Sequence, residues 1–382
     1  MMLVPNFRGS PERRPVRLPD PVSGYEQQGI MAPGPHCSRP IVALIRRQVR
    51  NPLLGTTMPY ISRDELEDAA RLVHSHMPPT PQFVWPKLCE RVQSTVWVKH
   101  ENHTPTGAFK VRGGITFADW LTRTHPDIQG IITATRGNHG QSQAKAATAA
   151  GLPVKILVPR GNSQEKNAAM RGFGGTLIEF GEDFDEARVE AERLSKEENL
   201  FMVPPFHREL VRGVASYALE LFAAKPDLDT VYVPIGCGSG ICGVISARDA
   251  LGLRTKIVGV VSTEALAVKL SFEASRLIET ESANTFADGI AVRVPVSEAF
   301  HIYSESAERI VEVSDDEVAE AIRIYFRDTH NAAEGAGAAS LAALLREQHR
   351  VRGKTVGVIL TGGNIDTQDF ATVLQGRTPN VA

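Results

Sequence analysis

The chain has 382 residues, of which 42% are apolar and 23% are charged, and its formal net charge is −2. This composition is typical of a soluble globular protein of about two domains. The balanced charge gives no general electrostatic reason to bind nucleic acid or an anionic membrane, and no apolar run reaches the roughly 20 residues of a transmembrane helix.

The four cysteines have neither the spacing of a metal site nor the density of a disulfide framework. Reduced thiols are typical of the cytoplasm, so we expect a cytoplasmic protein. The expected partner is a small molecule rather than nucleic acid or membrane.

Residues 1–57 differ in composition from the rest. They contain eight arginines, three acidic residues, nine prolines and no lysine. Such a segment buries little apolar surface, so we expect a disordered leader with at most a short helix over 41–49, before a globular start near Met58. A transit peptide is the alternative, and nucleic-acid contact is a third. Residues 376–382 are expected to form a tail.

Regular elements begin at Ser62. Ser62 and Glu65 form a capping box that predicts a helix through His76, and the prolines that follow end it. An alternating strand is predicted over 95–99, with a helix over 112–121. Further strands are predicted over 130–134, 154–158, 176–180, 201–203, 230–234, 256–261 and 355–360. Further helices are predicted over 141–150, 164–173, 185–198, 209–223, 315–329 and 336–349.

This alternation of apolar strands and helices predicts open, mainly parallel α/β sheets. Ligands of such sheets bind beyond the carboxyl ends of the strands, at helix N-termini. The glycine-rich turns of the chain follow strands in this way, so we expect them to form one site.

The first of these turns is the segment Pro-Thr-Gly-Ala-Phe-Lys-Val-Arg-Gly-Gly over 105–114. Lys110 follows Phe109 in it, and a lysine that reacts through its neutral amine needs such an apolar surrounding. The small neighbouring residues allow close approach of a ligand. The alternative is an ordinary solvated lysine.

Two more turns carry polar groups. The turn over 133–140 opens a helix whose free N–H groups suit a carboxylate, and Asn138 is a donor for an oxyanion. The turn over 360–366 places the Thr361 hydroxyl before two glycines. Taken alone, each is compatible with an ordinary turn.

The turn Gly-Cys-Gly-Ser-Gly over 236–240 lets consecutive N–H groups converge on a phosphate. Together with Gly243 it also has spacing similar to a dinucleotide fingerprint. The next strand ends at Ser262 without a ribose-binding acid, which disfavours a dinucleotide. The four turns together match the aldehyde, phosphate, phenolic oxygen and ring nitrogen of pyridoxal 5′-phosphate (PLP).

The chain resembles the tryptophan-synthase-β-like, fold-type II PLP enzymes over residues 60–375, and among them the threonine/serine dehydratases (ammonia-lyases). The resemblance is carried by Glu-Asn at 101–102 with the lysine turn, and by four further motifs. These are Arg-Gly-Asn-His-Gly-Gln at 136–141, the glycine turn at 236–240, Ala-Asp-Gly-Ile-Ala-Val at 287–292 and Ala-Glu-Gly-Ala-Gly-Ala at 333–338.

The resemblance implies two open, mainly parallel twisted sheets flanked by helices, with the cofactor in the cleft between two domains. The large domain is expected over 58–95 and 175–375, and the small domain is expected as an insertion over 96–174.

The resemblance also implies roles for individual residues. Lys110 is the catalytic lysine that forms a Schiff base with PLP. The residues expected to bind the cofactor are Lys110, Phe109, Asn138, Gly236, Cys237, Gly238, Ser239, Gly240, Glu334, Thr361 and Gly362. The residues expected to bind the substrate are Thr135, Arg136, Gly137, Asn138 and His139.

Three departures from the family pattern matter. Arg136 replaces a serine or alanine, which argues against racemase activity; it either meets an acidic group of the substrate or points to solvent. Gly335 replaces a proline. Ser262 stands where cation-binding relatives have a glutamate, so no metal site is expected.

The expected reaction is PLP-dependent β-elimination of L-threonine or L-serine to a 2-oxo acid and ammonia, in a homodimer. We expect no regulatory domain after residue 382, and therefore a catabolic form. The alternatives are a dehydratase of 3-hydroxyaspartate or an aryl-serine, a β-replacement enzyme of the cysteine synthase type, and a non-catalytic PLP-binding protein.

Overall fold

A computed structural model describes residues 59–380. The expected leader, its short helix and the last two residues of the tail lie outside the described residues. The strands of the described part are β1 Gln82–Val84, β2 Thr95–His100, β3 Ile131–Ala134, β4 Val154–Val158, β5 Thr176–Glu179, β6 Phe201–Met202, β7 Thr230–Pro234, β8 Lys256–Ser262, β9 Arg309–Val313 and β10 Thr355–Leu360.

The helices of the described part follow the strands in alternation, with short 3₁₀ turns at Glu101–His103 and Asp288–Ile290. They are α1 Arg63–His76, α2 Pro86–Val92, α3 Lys110–Thr124, α4 Asn138–Ala149, α5 Gln164–Gly172, α6 Phe184–Glu197, α7 Arg208–Ala224, α8 Ser239–Ala250, α9 Ala267–Ala274, α10 Ser297–Ser306, α11 Asp315–Thr329, α12 Gly335–Arg346, α13 Gln348–Val351 and α14 Thr367–Leu374.

The strands form two sheets. The larger has the order β1-β2-β10-β7-β8-β9 and the smaller has the order β5-β4-β3-β6. Every pairing is parallel except that of β1 with β2. All five residues of β7 are buried, as expected for a strand covered by helices on both faces. The predicted fold class is confirmed.

The division between the sheets differs from the expected domain boundaries. The whole of β2 pairs in the larger sheet, so a boundary at residue 96 would cut this strand. The smaller sheet includes β5 and β6, which lie after the expected boundary at residue 174. A buried apolar strand has the same sequence pattern in either sheet, so the pattern does not reveal which sheet the strand joins.

Helices cover both faces of the larger sheet. One face packs against α1, α7, α8 and α10, and the other packs against α11 and α12. In the smaller sheet, α3 and α4 pack on one face and α6 on the other. Within residues 59–380, no helix combines the length and apolar character that a membrane span requires.

Candidate active site

Lys110 is the first residue of α3 and is half-buried. Three contacts hold the backbone of residues 108–110. The Phe109 N–H donates to the Thr361 carbonyl oxygen (3.0 Å), Ala108 forms a β-bridge with Gly362, and the Ser142 hydroxyl donates to the Lys110 carbonyl oxygen (2.7 Å). The lysine turn and the turn after β10 are therefore adjacent, as the prediction of one site requires.

Phe109 connects the lysine turn to the glycine turn at 236–240. A Cβ atom at Gly240 would lie 3.6 Å from the Phe109 ring. The Tyr217 ring meets the Phe109 ring edge-on with centroids 6.1 Å apart, and its hydroxyl donates to the Gly240 carbonyl oxygen (3.1 Å). The turn predicted to bind phosphate thus lies against the turn that carries Lys110.

The glycines at 236 and 238 are required by the local geometry. Gly238 has φ of 102°, which other residues rarely adopt. A Cβ atom at Gly236 would lie 2.1 Å from the Gly289 carbonyl oxygen. The turn continues into α8 at Ser239, whose side chain is half-buried like that of Cys237. The first N–H groups of α8 have no intrahelical acceptor, so they are available to an anion.

The turn before α4 is shaped by Thr135. Its hydroxyl oxygen accepts hydrogen bonds from the N–H groups of Gly137 (3.1 Å) and Gly140 (3.3 Å). Gly137 is the N-cap residue of α4, so the helix begins at the predicted carboxylate-binding turn. Arg136 is exposed, and its side chain forms no hydrogen bond or ion pair with the described residues. Thr135 therefore supports the turn, and Arg136 is directed away from the protein interior.

The side chain of Asn138 is held between two neighbours. Its Nδ2 donates to Glu334 Oε1 (2.7 Å), and its Oδ1 accepts from Asn364 Nδ2 (2.8 Å). Asn364 Nδ2 also lies 2.8 Å from the Thr106 carbonyl oxygen. A Cβ atom at Gly107 would lie 2.2 Å from Asn364 Oδ1. Asn364 fixes the orientation of the Asn138 amide. The sequence pattern places this amide in the polar rim of the last turn, after the glycine pair, but assigns it no role.

Glu334 is buried at the start of α12. Burial raises the pKa of its carboxyl group, while the Lys166 ammonium and the hydrogen bond from Asn138 oppose the rise. Its N–H donates to the Gly362 carbonyl oxygen (3.1 Å). A Cβ atom at Gly362 would lie 2.3 Å from Glu334 Oε1, so the carboxyl group packs directly on this glycine.

Lys166 of α5 is a residue that the sequence analysis missed. Its side-chain Cδ would lie 2.9 Å from a Cβ atom at Gly137, and its Nζ lies 2.6 Å from Asp288 Oδ2. Burial alone would lower the pKa of Lys166, but Asp288 and Glu334 raise it above its ordinary value. A charged lysine from the smaller sheet layer therefore reaches the larger one at the edge of the site.

His139 and Thr361 carry polar groups that have no hydrogen-bond partner among the described residues. His139 Nε2 is buried and forms no hydrogen bond with the described residues. Burial, together with the nearby Lys110 ammonium, lowers the pKa of His139 to about 3. Thr361 is buried, and its hydroxyl also forms no hydrogen bond with the described residues. A neutral imidazole and a free hydroxyl next to the lysine turn are suited to a ligand.

The sequence profile of the family described as "Pyridoxal-phosphate dependent enzyme" matches residues 73–362. The chain belongs to this family. The resemblance seen in the sequence is confirmed, and PLP is the cofactor of the family.

Relatives of this PLP enzyme support the same assignment. The chain is 33% identical over 290 residues to the biosynthetic L-threonine dehydratase of Haemophilus influenzae, covering 75% of this chain and 56% of that protein. It is 33% identical over 327 residues to the L-threonine ammonia-lyase of Geobacter sulfurreducens, covering 83% and 78%. The chain thus spans about half the length of the biosynthetic dehydratases that it matches.

A solved structure has the same architecture. The processed form of threonine deaminase isoform 2 from Solanum lycopersicum superposes with a TM-score of 0.75 at 28% identity, over 86% of this chain and 98% of that chain.

The residues of this PLP enzyme fit the cofactor. The glycine turn has no room for a side chain at Gly236, the first N–H groups of α8 have no intrahelical acceptor, and His139 Nε2 has no hydrogen-bond partner within residues 59–380. Phe109 is an apolar wall between the lysine and the glycine turn. These features are compatible with a phosphate at one end of the site and a polar aromatic group at the other.

Proposed function

We propose that the chain is a PLP-dependent ammonia-lyase of the threonine/serine dehydratase type. It releases the β-hydroxyl group of a small amino acid, and the product is converted in water to a 2-oxo acid and ammonia. The observation that carries the proposal is the position of Lys110, at the start of α3 between the glycine turn and the turn after β10. The similarity to the L-threonine ammonia-lyase named above supports the reaction type.

The cofactor supplies an acceptor for the electron pair that remains when the α-proton leaves. Lys110 removes this proton as a neutral amine. The N–H groups of 236–240 bind the phosphate. Asn138 donates to an oxygen anion with the Nδ2 that now faces Glu334. Thr361 offers a neutral hydroxyl to the ring nitrogen and brings no negative charge to it.

The substrate carboxylate is assigned to the turn at 137–139, at the N-terminus of α4. A helix N-terminus favours an anion through its free N–H groups and its dipole. A second candidate substrate class is β-hydroxy amino acids with an additional acidic group, such as 3-hydroxyaspartate. The exposed Arg136 favours it, because its guanidinium group is free to pair with a second carboxylate.

The test is a screen for 2-oxo acid release from β-hydroxy amino acids, including threonine, serine, 3-hydroxyaspartate and an aryl-serine. We expect release from one of them by the wild type, none by Lys110→Ala, and wild-type rates for Lys225→Ala, a lysine of the α7–β7 connection. Sulfide incorporation without 2-oxo acid would indicate β-replacement instead. Binding of PLP without any turnover would contradict the proposal.

The homodimer, the cytoplasmic location and the catabolic role stay predictions of the sequence. Light scattering of the purified protein tests the first of them.

A further inference from the structure

A cluster of buried charges lies beside the lysine turn. We name it the Arg112 cluster, and it comprises Arg112, Glu101, Glu220, Lys99 and Thr80. Arg112 and Glu101 are fully buried, and so is Lys99. The cluster joins α3 to the end of β2 and the turn that follows it, to α7, and to Thr80 in the segment before β1.

Arg112 forms two hydrogen bonds with each of the two carboxylates of the cluster. Its Nε and Nη2 donate to Glu101 (2.7 and 3.0 Å), and its Nη1 and Nη2 donate to Glu220 (2.6 and 3.0 Å). Ser216 and Thr80 accept further hydrogen bonds at 3.0 and 3.2 Å. A guanidinium group bound on all sides has a fixed position and a fixed plane.

The charges of the cluster are balanced. Lys99 Nζ donates to Glu220 and to the Thr80 carbonyl oxygen, so two cations face two carboxylates. Burial alone would raise the pKa of Glu220, but Arg112 and the other donors, His74 and Lys99, lower it. Removing one member would leave a buried charge without its partner, which is strongly unfavourable. The cluster therefore holds one arrangement.

Arg112 and Lys110 belong to the same turn of α3. Side chains two residues apart on a helix point about 200° apart around its axis, so the two residues face nearly opposite sides. Rotation of α3 about its axis would move both side chains together. A guanidinium group locked on one side of the helix therefore sets the direction of the amine on the other side.

We propose that Arg112 is a positioning residue for Lys110, and that the four oxygens of Glu101 and Glu220 fix the rotation of α3. This inference rests on the role proposed above for Lys110. It predicts that a variant with the charge of Arg112 but without its planar fork keeps the fold and loses the alignment of the lysine.

The chain contains a matched control. At the other end of the larger sheet, Arg309 of β9 donates through Nε to Glu347 (2.9 and 3.2 Å) and through Nη2 to the Tyr232 hydroxyl oxygen (3.4 Å). This second cluster also pairs an arginine fork with a carboxylate. It contains no residue of the candidate site.

The experiment compares Arg112→Lys with Arg309→Lys in the full chain loaded with PLP. Sodium borohydride is used to trap the cofactor on the protein, and peptide mass spectrometry measures the fraction trapped on Lys110. Thermal unfolding, kcat and KM are measured in parallel. We expect both variants to lose stability, and only Arg112→Lys to lose trapping and to lose kcat by about tenfold to a hundredfold with little change in KM.

Equal trapping and equal kcat in the two variants would overturn the inference, because the cluster would then act through stability alone. Should Arg112→Lys not fold, Glu220→Gln against Glu347→Gln makes the same comparison with a smaller change. A wild-type protein that is not trapped at Lys110 would contradict the proposed function instead, so the two failures are distinguishable.

Discussion

The glycine turn at 236–240 and the turn at 135–139 both follow a parallel strand and open a helix, but they differ in the polar side chains that they carry. The glycine turn offers backbone groups: Gly236 packs against the Gly289 carbonyl oxygen, and Gly238 and Gly240 pack against the side chains of Ala299 and Phe109. The turn at 135–139 adds polar side chains to the free N–H groups at the start of α4. There Thr135 supports the loop, Asn138 is held by two neighbours, and His139 has a free nitrogen.

This difference suits the two turns to two tasks, which are cofactor binding and substrate selection. A site of N–H groups binds a phosphate whatever side chains surround it, so it suits a constant ligand. A site of side chains changes its chemistry with each substitution, so it suits the part of the site that selects a substrate. The comparison predicts that substitutions in the glycine turn affect cofactor affinity, and that substitutions in the other turn affect turnover and selectivity.

The largest effect is expected from Gly236→Ala. The added methyl group would meet the Gly289 carbonyl at 2.1 Å, and backbone must move to make room. We expect PLP affinity to fall by about a hundredfold, a loss equivalent to about 2.7 kcal/mol, measured by titrating the apoprotein with PLP. Gly172→Ala is the control, because its added methyl group would meet nothing within 4 Å. Equal affinity of the two variants would show that the glycine turn does not bind the cofactor.

A smaller effect is expected from Asn138→Ala in the other turn. It removes the donor to Glu334 and the acceptor for Asn364 and leaves the backbone in place. We expect kcat to fall by about tenfold, the lower end expected for the loss of one hydrogen bond to a charged group, with PLP affinity within about threefold of the wild type. Asn162→Ala, in the turn before α5, is the control. A loss of PLP affinity as large as that of Gly236→Ala would erase the distinction between the two turns.

The third prediction concerns pH. The pKa of His139 in the folded chain is about 3, because of burial and then Lys110, against an ordinary value of 6.5. Below pH 6.5 the unfolded chain therefore binds a proton that the folded chain does not, and stability falls as pH falls from 6.5 towards 3. The loss is about 1.4 kcal/mol per pH unit for one such group.

Denaturant unfolding at pH 7.5 and pH 5.5 measures this loss. We expect His139→Asn to reduce it, while His301→Asn, at an exposed histidine, leaves it unchanged. The buried His100, whose pKa is lowered to about 4 by burial and then by His103, contributes in the same direction in all variants. An unchanged pH dependence in His139→Asn would mean that its imidazole is not kept neutral by the fold.

The smallest effect on the fold is expected from Arg136→Ser. The arginine is exposed and has no partner among the described residues, so its removal costs little stability. We expect an unfolding temperature within about 1 °C of the wild type, and a several-fold lower kcat/KM ratio for 3-hydroxyaspartate relative to serine. An unchanged ratio would indicate that Arg136 faces solvent and does not select the substrate.

The parts of the site that could be predicted from the sequence are those encoded within one turn. Lys110 with its small neighbours, and the alternating glycines at 236–240, combine residue type and spacing in a single segment. The order of apolar strands and helices likewise sufficed for the fold class. Local patterns of this kind reflect geometry that a few neighbouring residues determine on their own.

The parts that could not be predicted depend on contacts between distant segments. Asn364 meets Asn138, and Lys166 meets Asp288, across 226 and 122 positions of the chain. No short sequence pattern indicates a contact between residues that are so far apart in the chain. The assignment of β5 and β6 to the smaller sheet was missed for the same reason, since strand order follows from tertiary packing rather than from the strand's own residues.

The contact between Lys166 and Asp288 has a consequence for how the protein responds to its cofactor. It joins a helix of the smaller sheet layer to a turn that packs against the glycine loop of the larger one. A ligand bound between the smaller sheet layer and the glycine loop contacts both of them. Bound PLP is thus expected to stabilise the contact between the two sheet layers. We expect a single sharp unfolding transition of the PLP-bound protein in calorimetry and a broader transition of the apoprotein.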